Sequence, residues 1–396
     1  MTMAAAIESR TAEAPARSKP GRIAHIDLVS DLESVETGWR SLETPEQLFT
    51  AYQRLDFLTC WQREVGSRDN ARPLIVIGYD AEHRPLLLLP LILKQSHGVR
   101  VASFMGGKHT TFNMALWDRA FVATAQRADV DAVIHELRER STVDVLALTR
   151  QPLRWRDVQN PLALLPHQPS VNDCPVLNMQ PGAAASSLIS NSFRKRLRAK
   201  ERKLEKLPGY RHHVATEDAE IDRLLDWFFR IKPLRMAQQG LPNVFADPGV
   251  ADFVRKACLM RRPGEGRVID IHALQCDEEI IALYAGVADG YRFSMMFNTY
   301  TLSDHSRYSP GLILMRNIVD HYAARGYRAL DLGIGSNDYK HLFCKSAEPI
   351  FDSFIPLNGR GRLAAATMSA LARGKRVVKH NPPLLRLAQG VRKALR

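Results

Sequence analysis

The 396-residue chain is 45% hydrophobic and 24% charged and has a formal net charge of +13, a composition that allows a sizeable core and predicts two domains. Its most apolar run, LLLLPLILK, is about nine residues long, well short of the roughly 20 residues that a transmembrane helix needs. The five cysteines are widely spaced and never form a CxxC pair, which indicates neither a disulfide framework nor a zinc ribbon and favours the reducing cytoplasm.

The first half of the chain is predicted to be a disordered tail followed by a mixed α/β unit. Residues 1–20 are rich in alanine and lack the apolar centre of a secretory signal. Pro90 lies in a strand pattern and argues against a central position for that strand, because proline cannot donate a ladder hydrogen bond. The proline-rich segment 151–170 is expected to line a cleft or to cross between domains. Hydrophobic periodicity predicts strands at 22–29, 71–80, 84–94, 98–105 and 143–150, and helices at 31–43, 46–66 and 128–140.

The second half repeats this order of elements. The pattern predicts helices at 186–207, 221–239, 248–260 and 312–326, and strands at 210–217, 268–275, 280–288, 291–300 and 328–336. The repeated order indicates a duplicated α/β unit, although the two halves share no visible sequence identity. We therefore expect an N-terminal domain at 21–180, a C-terminal domain at 181–358 and a basic extension at 359–396.

Residues 280–355 form the most informative stretch. Two apolar runs flank the Asp289-Gly290 turn, and a polar loop then leads into a helix and a strand parallel to the preceding one. This order directs unpaired helix-start N–H groups toward the seam between strands, where an anion can bind. Ser309 suits the N-cap, Pro310 the first helical position, and Gly311 allows close approach of a ligand. The alternative is a well-capped core helix without a ligand.

Two segments carry the positive charge. Residues 194–206 hold eight basic and two acidic residues, residues 359–396 hold ten basic and no acidic ones, and the remainder is close to neutral. Such segments suit phosphates, nucleic acid or an anionic membrane face. For the first segment the alternative is a core helix with a solvated charged face, because Phe193, Leu197 and Leu204 recur at nearly helical spacing. In the second, Leu384, Leu387, Val391 and Leu395 share one face, which we expect to dock on an anionic membrane surface or on the protein body, or to belong to a disordered tail.

Three segments resemble a known family. They are MGGKHTTFNMALW at 105–117, SNSFRKRLRAKERKLEKL at 190–207 and YSPGLILMRNIVDHYAARGYRALDLGIGSNDYKHLF at 308–343. Together they are similar to the acetyltransferase-like domain of the CelD-type proteins, which are associated in bacteria with cellulose and other exopolysaccharide gene clusters. That family belongs to the GNAT superfamily and is related in architecture to the Fem-type peptidyltransferases. The resemblance covers residues 22–357.

The resemblance implies an α/β fold of tandem GNAT-like domains with mixed, mostly antiparallel sheets. It also implies that the second domain binds acetyl-CoA or another acyl-CoA, with pantetheine between two splayed strands and pyrophosphate on the following helix start. Arg307 and Gly311 are the only remnants of the superfamily's Q/R-x-x-G-x-G/A loop, and the backbone N–H groups of 309–312 are the expected phosphate donors. The implied cofactor-contacting residues are Phe297, Asn298, Arg307, Tyr308, Ser309, Gly311 and Leu312.

Acyl transfer needs a base for the acceptor and an acid for the leaving thiolate. Tyr339 corresponds in order to the tyrosine that serves as the acid in many members of the superfamily, and Lys340 can lower its pKa or neutralise the thiolate. Asp331, His305 and Asp304 are the other candidates. The simpler interpretations are that Asp331 bonds the adjacent glycine-rich turn and that His305 is a surface residue.

The sequence thus predicts an acyl-CoA-dependent acyltransferase that acts on an amine or hydroxyl of a carbohydrate or cell-envelope precursor, in the cytoplasm or at the inner membrane face. Fem-like transfer from aminoacyl-tRNA is one alternative, and a catalytically silent binding protein is another. No specific nucleic acid partner is expected under the main interpretation. GGKHT lacks the Walker pattern, DLGIGS lacks the third Rossmann glycine, and His212-His213 lacks metal-ligand spacing, so no metal is implied.

Overall fold

The computed structural model describes residues 22–180, 185–262, 266–335, 338–381 and 383–386. The expected disordered tail at 1–20 lies outside these ranges, as do Leu387, Val391 and Leu395 of the C-terminal apolar face. Within the described ranges no helix is both long and apolar enough to span a bilayer. The five cysteines are all free and buried.

The strands of the described residues form two large sheets and one small hairpin. The first sheet has the order β1-β2-β3-β4-β6-β17-β9, with β5 also paired to β3. Its strands are β1 (His25–Val29), β2 (Arg72–Tyr79), β3 (Pro85–Ser96), β4 (Val99–Phe104), β5 (Leu116–Trp117), β6 (Val145–Pro152), β9 (Gln168–Pro169) and β17 (Ile350–Pro356). The hairpin pairs β7 (Arg154–Trp155) with β8 (Val158–Gln159).

The second sheet has the order β11-β12-β13-β14-β15-β10-β16. Its strands are β10 (Cys174–Asn178), β11 (Arg211–Val214), β12 (Asp270–Gln275), β13 (Ile280–Ala288), β14 (Arg292–Tyr300), β15 (Ala329–Asp331) and β16 (Ser346–Glu348). Among these strands only β14 and β15 run parallel, as the predicted strand-helix-strand order requires. The mixed, mostly antiparallel α/β fold expected from the sequence is therefore confirmed.

Each sheet holds a strand from the opposite half of the sequence. Strand β10, before the predicted boundary at 180, lies between β15 and β16. Strand β17, which ends just before 358, pairs with β6 and β9 of the first sheet. Sheet membership therefore crosses the boundary proposed from the sequence, and the division into domains at 180 stays a prediction.

Pro90 lies inside an inner strand, and the expectation that it would not was wrong. On one side it lies opposite Ile75 of β2. On the other side, β4 begins to pair at Leu91 and β5 pairs at Leu87 and Leu88. The Pro90 carbonyl accepts from Met105, so its missing N–H faces the gap between β4 and β5, where no ladder bond is lost.

Helices cover the sheets and largely match the predicted segments. They are α1 (Glu36–Ser41), α2 (Leu55–Trp61), α3 (Arg119–Val122), α4 (Arg127–Arg140), α5 (Ala185–Leu188), α6 (Asn191–Leu204), α7 (Asp218–Gln238), α8 (Val250–Leu259), α9 (Pro310–Ala324), α10 (Asp338–Phe343) and α11 (Gly359–His380).

The single helix predicted at 46–66 is instead broken into a 3₁₀ turn, α2 and a π turn. The Gln53 carbonyl accepts from the Trp39 indole, and the Leu55 N–H donates to Glu43. Arg54 between them is extended. Tertiary contacts therefore use the backbone groups that a continuous helix would need.

Buried apolar residues form two clusters on opposite faces of the second sheet. One continues from the first sheet through α7 and α8 to residues such as Leu283 and Phe297. The other joins the opposite sheet face to α6 and α9, with Phe193 and Leu197 contributing from α6. The basic segment 194–206 thus has the core face that its apolar spacing indicated.

Candidate functional site

The gap beside β14 is created by the early end of β15. The two strands pair only from Arg292 opposite Ala329 to Ser294 opposite Asp331. Strand β14 then continues to Tyr300, while the chain leaves β15 through Gly333 and Gly335, both at positive φ. The edge of β14 from Met295 onward therefore has no β15 residue beside it.

A β-bulge in β14 changes which face its side chains occupy. Ala285 lies opposite Phe297 but Gly286 lies opposite Met295, so Met296 is the extra residue. Met295 packs in the α6–α9 cluster, whereas Phe297 packs with Phe228 on the α7 side. An extra residue reverses the alternation of a strand, so Met295 and Phe297 lie on opposite faces although they are only two positions apart.

The first cavity, here the α7–α9 cavity, has a volume of about 500 Å³. It lies between α7, the outer part of β14 and the start of α9. Its lining residues are Lys232, Arg235, Met236, Gln239, Leu241, Tyr284, Asn298, Thr299, Tyr300, Ser306, Ser309, Gly311, Leu312 and Tyr339. The described lining combines two cations with uncharged polar and apolar side chains and has no carboxylate.

The second cavity, here the inter-sheet cavity, has a volume of about 360 Å³. Residues of both sequence halves line it, and again no carboxylate belongs to its described lining. The first half contributes Lys108, His109, Thr110, Thr111 and Arg150, and the second contributes Val244, Phe245, Val250, Phe253, Val254, Met295, Met296, Phe297, Leu332, Gly333, Ile334, Tyr339 and Lys340.

Tyr339 lines both cavities. It lies in the first turn of α10 and packs on the apolar cluster around α9. Burial raises the pKa of Tyr339, and the neighbouring Asn298 amide opposes that shift. The phenol therefore stays protonated at neutral pH, as a proton donor must.

Lys340 holds the loop after β15. Its ammonium donates to the carbonyl oxygens of Gly333, Ile334 and Gly335 at 2.9, 3.2 and 3.0 Å. These bonds use all three ammonium protons, and burial lowers the pKa of Lys340. The observed contacts are those of a residue that shapes the cavity wall.

Asp331 is fully buried at the end of β15 and lines neither cavity. Its carboxylate accepts from the Ser294 hydroxyl and from the Gly333 N–H. Burial raises the pKa of Asp331 to about 6, against the opposing effect of Arg292 and these hydrogen bonds. The contacts agree with the simpler interpretation, in which Asp331 bonds the glycine-rich turn.

His305 and Asp304 lie in the 3₁₀ turn before α9 and line neither cavity. The His305 imidazole contacts Glu279 at 2.7 Å, and Glu279 also accepts from Thr301 and Ser303. Although burial would raise the pKa of Glu279, these hydrogen bonds lower it overall. His305 thus fixes the loop to the β12–β13 turn.

The predicted phosphate loop is only partly as expected. Pro310 occupies the start of α9, and Ser309 stands at the N-cap in a left-handed conformation. The Ser309 side chain does not cap the helix but accepts from Lys200 of α6 at 2.7 Å. The N–H groups of Ser309 and Leu312 already donate to the carbonyls of Ser306 and Ser309, so they are not available as phosphate donors.

The other cofactor candidates divide between sites. Asn298, Ser309, Gly311 and Leu312 line the α7–α9 cavity, whereas Phe297 lines the inter-sheet cavity. Arg307 and Tyr308 bond each other at 3.0 Å and line neither.

Sequence reasoning missed the cations of α7. Lys232 donates to the Asn298 carbonyl at 2.9 Å, and burial, together with nearby Arg235, lowers the pKa of Lys232 to about 8. The Arg235 guanidinium lies 3.4 Å from the Tyr300 ring centroid. The four cations of this apolar-periodic helix, which include Lys232 and Arg235, were the available clue.

Sequence reasoning also missed the residues that the first half of the chain contributes to the inter-sheet cavity. The His109 Nδ1 accepts from the Trp61 indole at 3.0 Å, which leaves the proton on Nε2, and burial lowers the pKa of His109 to about 4. Arg150 donates to the Thr110 carbonyl at 3.0 Å, and burial lowers the pKa of Arg150. Only tertiary packing brings these residues to β14.

Two other features lie apart from these cavities. A third cavity of about 620 Å³ lies between α7 and the β12–β13 turn and contains none of the predicted site residues. His212 stacks on His272, which contacts Tyr322, whereas His213 contacts Glu220. Within the described ranges no group of three or more His, Cys, Asp or Glu residues is arranged to hold a metal ion.

Strands β14 and β15 separate beside the start of α9. This is the geometry of splayed strands and a helix start that the sequence resemblance implied. Residues 191–341 match the acetyltransferase (GNAT) domain. The match covers α6 to α10 and therefore includes the whole of the α7–α9 cavity. None of the curated proteins matches the sequence significantly.

Solved structures are similar in fold to most of the chain. FemX has 9% identity and a TM-score of 0.51, covering 78% of this chain and 96% of its own. A conserved protein of unknown function from Bacteroides thetaiotaomicron has 10% identity and a TM-score of 0.50, covering 84% and 100%. The C-terminal domain of a putative lysylphosphatidylglycerol synthetase from Agrobacterium fabrum has 11% identity and a TM-score of 0.47, covering 87% and 96%.

Proposed function

We propose that the protein is an acyl-CoA-dependent acyltransferase whose donor binds in the α7–α9 cavity and whose acceptor binds in the inter-sheet cavity. The observation that carries this proposal is the position of Tyr339, which lines both. Two substrates that enter from different sides meet where the cavities share a wall.

Side-chain cations support binding of the donor phosphates. The N–H groups of Ser309 and Leu312 are occupied, but Lys200, Lys232 and Arg235 lie at or beside the start of α9. Cations can balance a pyrophosphate without a main-chain cradle. The apolar lining from Met236, Leu241 and Leu312 suits pantetheine.

The proposed chemistry is direct attack. The acceptor nitrogen or oxygen adds to the thioester carbonyl, and the C–S bond breaks as the tetrahedral intermediate collapses. Tyr339 gives its phenolic proton to the departing thiolate and recovers a proton, through solvent, from the attacking group. The free edge of β14 after Ser294 offers backbone groups to the thioester.

The acceptor is proposed to be a carbohydrate or cell-envelope precursor, as the CelD resemblance implies. The inter-sheet cavity offers hydroxyl, imidazole and guanidinium donors, which suit a polar or anionic acceptor. They belong to Thr110, Thr111, His109 and Arg150. An N- or O-acetyl product in exopolysaccharide synthesis follows from this proposal.

The decisive experiment is isothermal titration of the full chain with acetyl-CoA and longer acyl-CoAs, followed by thiol release in the presence of candidate aminosugars. We expect micromolar to millimolar binding, with thiol release that depends on the acceptor. Absence of binding at millimolar concentration would contradict the acyl-CoA proposal. Binding without thiol release for any acceptor would favour the silent binding protein.

Transfer from aminoacyl-tRNA is a second candidate, and α6 is the observation in its favour. Arg198, Arg202 and Lys203 are exposed on this helix, next to Lys200 at the α7–α9 cavity. A line of exposed cations can follow a nucleic acid backbone. Filter binding with charged tRNA, measured beside the acyl-CoA titration, distinguishes the two donors.

A further inference from the structure

The outward face of α11 is apolar although the helix lies on the protein surface. The helix packs on the first sheet through Gly361, Ala365 and Ala372, which are buried. On the other side Leu363 is 75% exposed and Val377 is 59% exposed. These two residues are separated by four helical turns and lie on one face, together with exposed Ala370 and Gly374.

The same segment carries cations toward both of its ends and no acidic residue. Residues 359–386 contain no aspartate or glutamate. Their cations are Arg360, Arg362, Arg373, Lys375, Arg376, Lys379 and Arg386. Arg373 bonds Gln168 of β9, and Arg376 pairs with Asp173, just before β10, so these two contacts fix the orientation of the helix.

We propose that this face of α11 docks on an anionic membrane surface. Exposed apolar side chains flanked by cations insert at the boundary between headgroups and acyl chains, and anionic lipids add attraction for each cation. A second copy of the chain would bring two acid-free basic helices together and oppose their charges. An anionic bilayer provides acyl chains for the exposed apolar side chains and negative headgroups for the cations.

The docked helix would face the membrane beside a route to the acceptor. A cavity of about 330 Å³ lies under α11 and is lined by Leu371, Lys375, Arg150 and Ile334, among others. Arg150 and Ile334 also line the inter-sheet cavity. Access of a lipid-bound acceptor by this route rests on the proposed function, whereas docking itself does not.

Vesicle sedimentation of the full chain tests the proposal. Because α11 packs on the first sheet, substitutions are preferable to truncation. We expect binding to vesicles of phosphatidylcholine with phosphatidylglycerol and at least tenfold weaker binding to phosphatidylcholine alone. Leu363→Glu combined with Val377→Glu should reduce binding to anionic vesicles at least tenfold, and Arg360→Gln with Arg362→Gln should reduce its salt dependence.

Leu234→Glu is the matched control, since Leu234 is 52% exposed on α7 and should leave sedimentation unchanged. Equal binding to neutral vesicles, or unchanged binding of the α11 double variant, would overturn the proposal. So would a dimer in light scattering that the double variant dissociates. Acetyl-CoA titration of the same variant separates the two proposals, because docking can fail while donor binding persists.

Discussion

Tyr339 is the residue on which the proposed chemistry depends. Its phenol has a raised pKa because the side chain is buried, which keeps the proton in place until the thiolate forms. Lys340, its neighbour in sequence, instead bonds three loop carbonyls. Adjacent residues of α10 therefore have different surroundings: Tyr339 lines both cavities, and Lys340 holds the loop after β15.

Removing the Tyr339 hydroxyl should slow turnover far more than it weakens donor binding. General acids contribute roughly 100-fold or more to rate, so Tyr339→Phe should lower kcat by about that factor with little change in the acetyl-CoA Kd. Tyr308→Phe is the control, because Tyr308 lines neither cavity. An unchanged kcat in Tyr339→Phe would remove this residue from the mechanism.

The lowered pKa of Lys232 predicts that donor binding depends on pH. Its pKa is lowered to about 8, so the free protein loses this charge as the pH rises through 8. Acetyl-CoA affinity should be constant below that pH and fall by roughly tenfold above it, as expected for losing one charge-assisted contact.

Titration calorimetry from pH 6.5 to 9.5 measures this effect. Lys232→Arg stays charged and should bind with the same affinity across the range, whereas Lys232→Met should bind weakly at every pH. If the wild type and Lys232→Arg show the same pH profile, Lys232 does not contact the donor phosphates.

At the scale of elements, β14 has some features that its local sequence predicts and one that it does not. The hairpin, the following helix and the parallel strand could be predicted from the sequence, since periodicity and the Asp289-Gly290 turn are local properties. The bulge at Met296 could not, because nothing in SMMFN marks the extra residue. The bulge places Phe297 against Phe228 on the α7 side, on the face opposite Met295.

The phosphate loop illustrates the same limit. The sequence predicted Pro310 at the helix start correctly, but it gave no reason to connect Ser309 with Lys200, 109 residues away. The partner of a serine hydroxyl is decided by packing of α6 against α9, which local patterns do not contain.

Helix α6 yields a prediction that separates the two donors. Lys200→Ala should weaken acetyl-CoA binding several-fold, because one charge-assisted contact is lost. Lys203→Ala on the exposed face should not. With aminoacyl-tRNA as donor, both substitutions should weaken binding and lower its salt dependence. Equal acetyl-CoA affinity in wild type and Lys200→Ala would leave α6 without a role in donor binding.

At the scale of the whole molecule, the two sheets are joined by exchanged strands. Strand β10 is an inner strand of the second sheet, and β17 pairs with β6 of the first. Local patterns could not show which sheet β17 joins, because its partners in β6 lie about 200 residues earlier in the chain. The sequence therefore predicted the elements better than their connections.

A fragment cut at the predicted boundary should not fold. Residues 181–358 lack β10 and carry β17 without its partners, which leaves an inner gap in one sheet and an unpaired apolar strand. Expressed alone, this fragment should aggregate or lose near-UV circular dichroism, while the 396-residue chain gives a cooperative transition. A soluble fragment with native near-UV signal and acetyl-CoA binding would show that the exchange is dispensable.

Strand β17 also determines when the first sheet can be completed during synthesis. It is synthesised after every other strand that the structure describes, so the nascent chain carries β6 with one bare edge until residues 350–356 have been made. Arg150, which lines the inter-sheet cavity, donates its N–H to the Asp352 carboxylate of this strand. A ribosome stalled before residue 350 would therefore hold a chain in which Arg150 lacks this contact and β6 keeps an open edge.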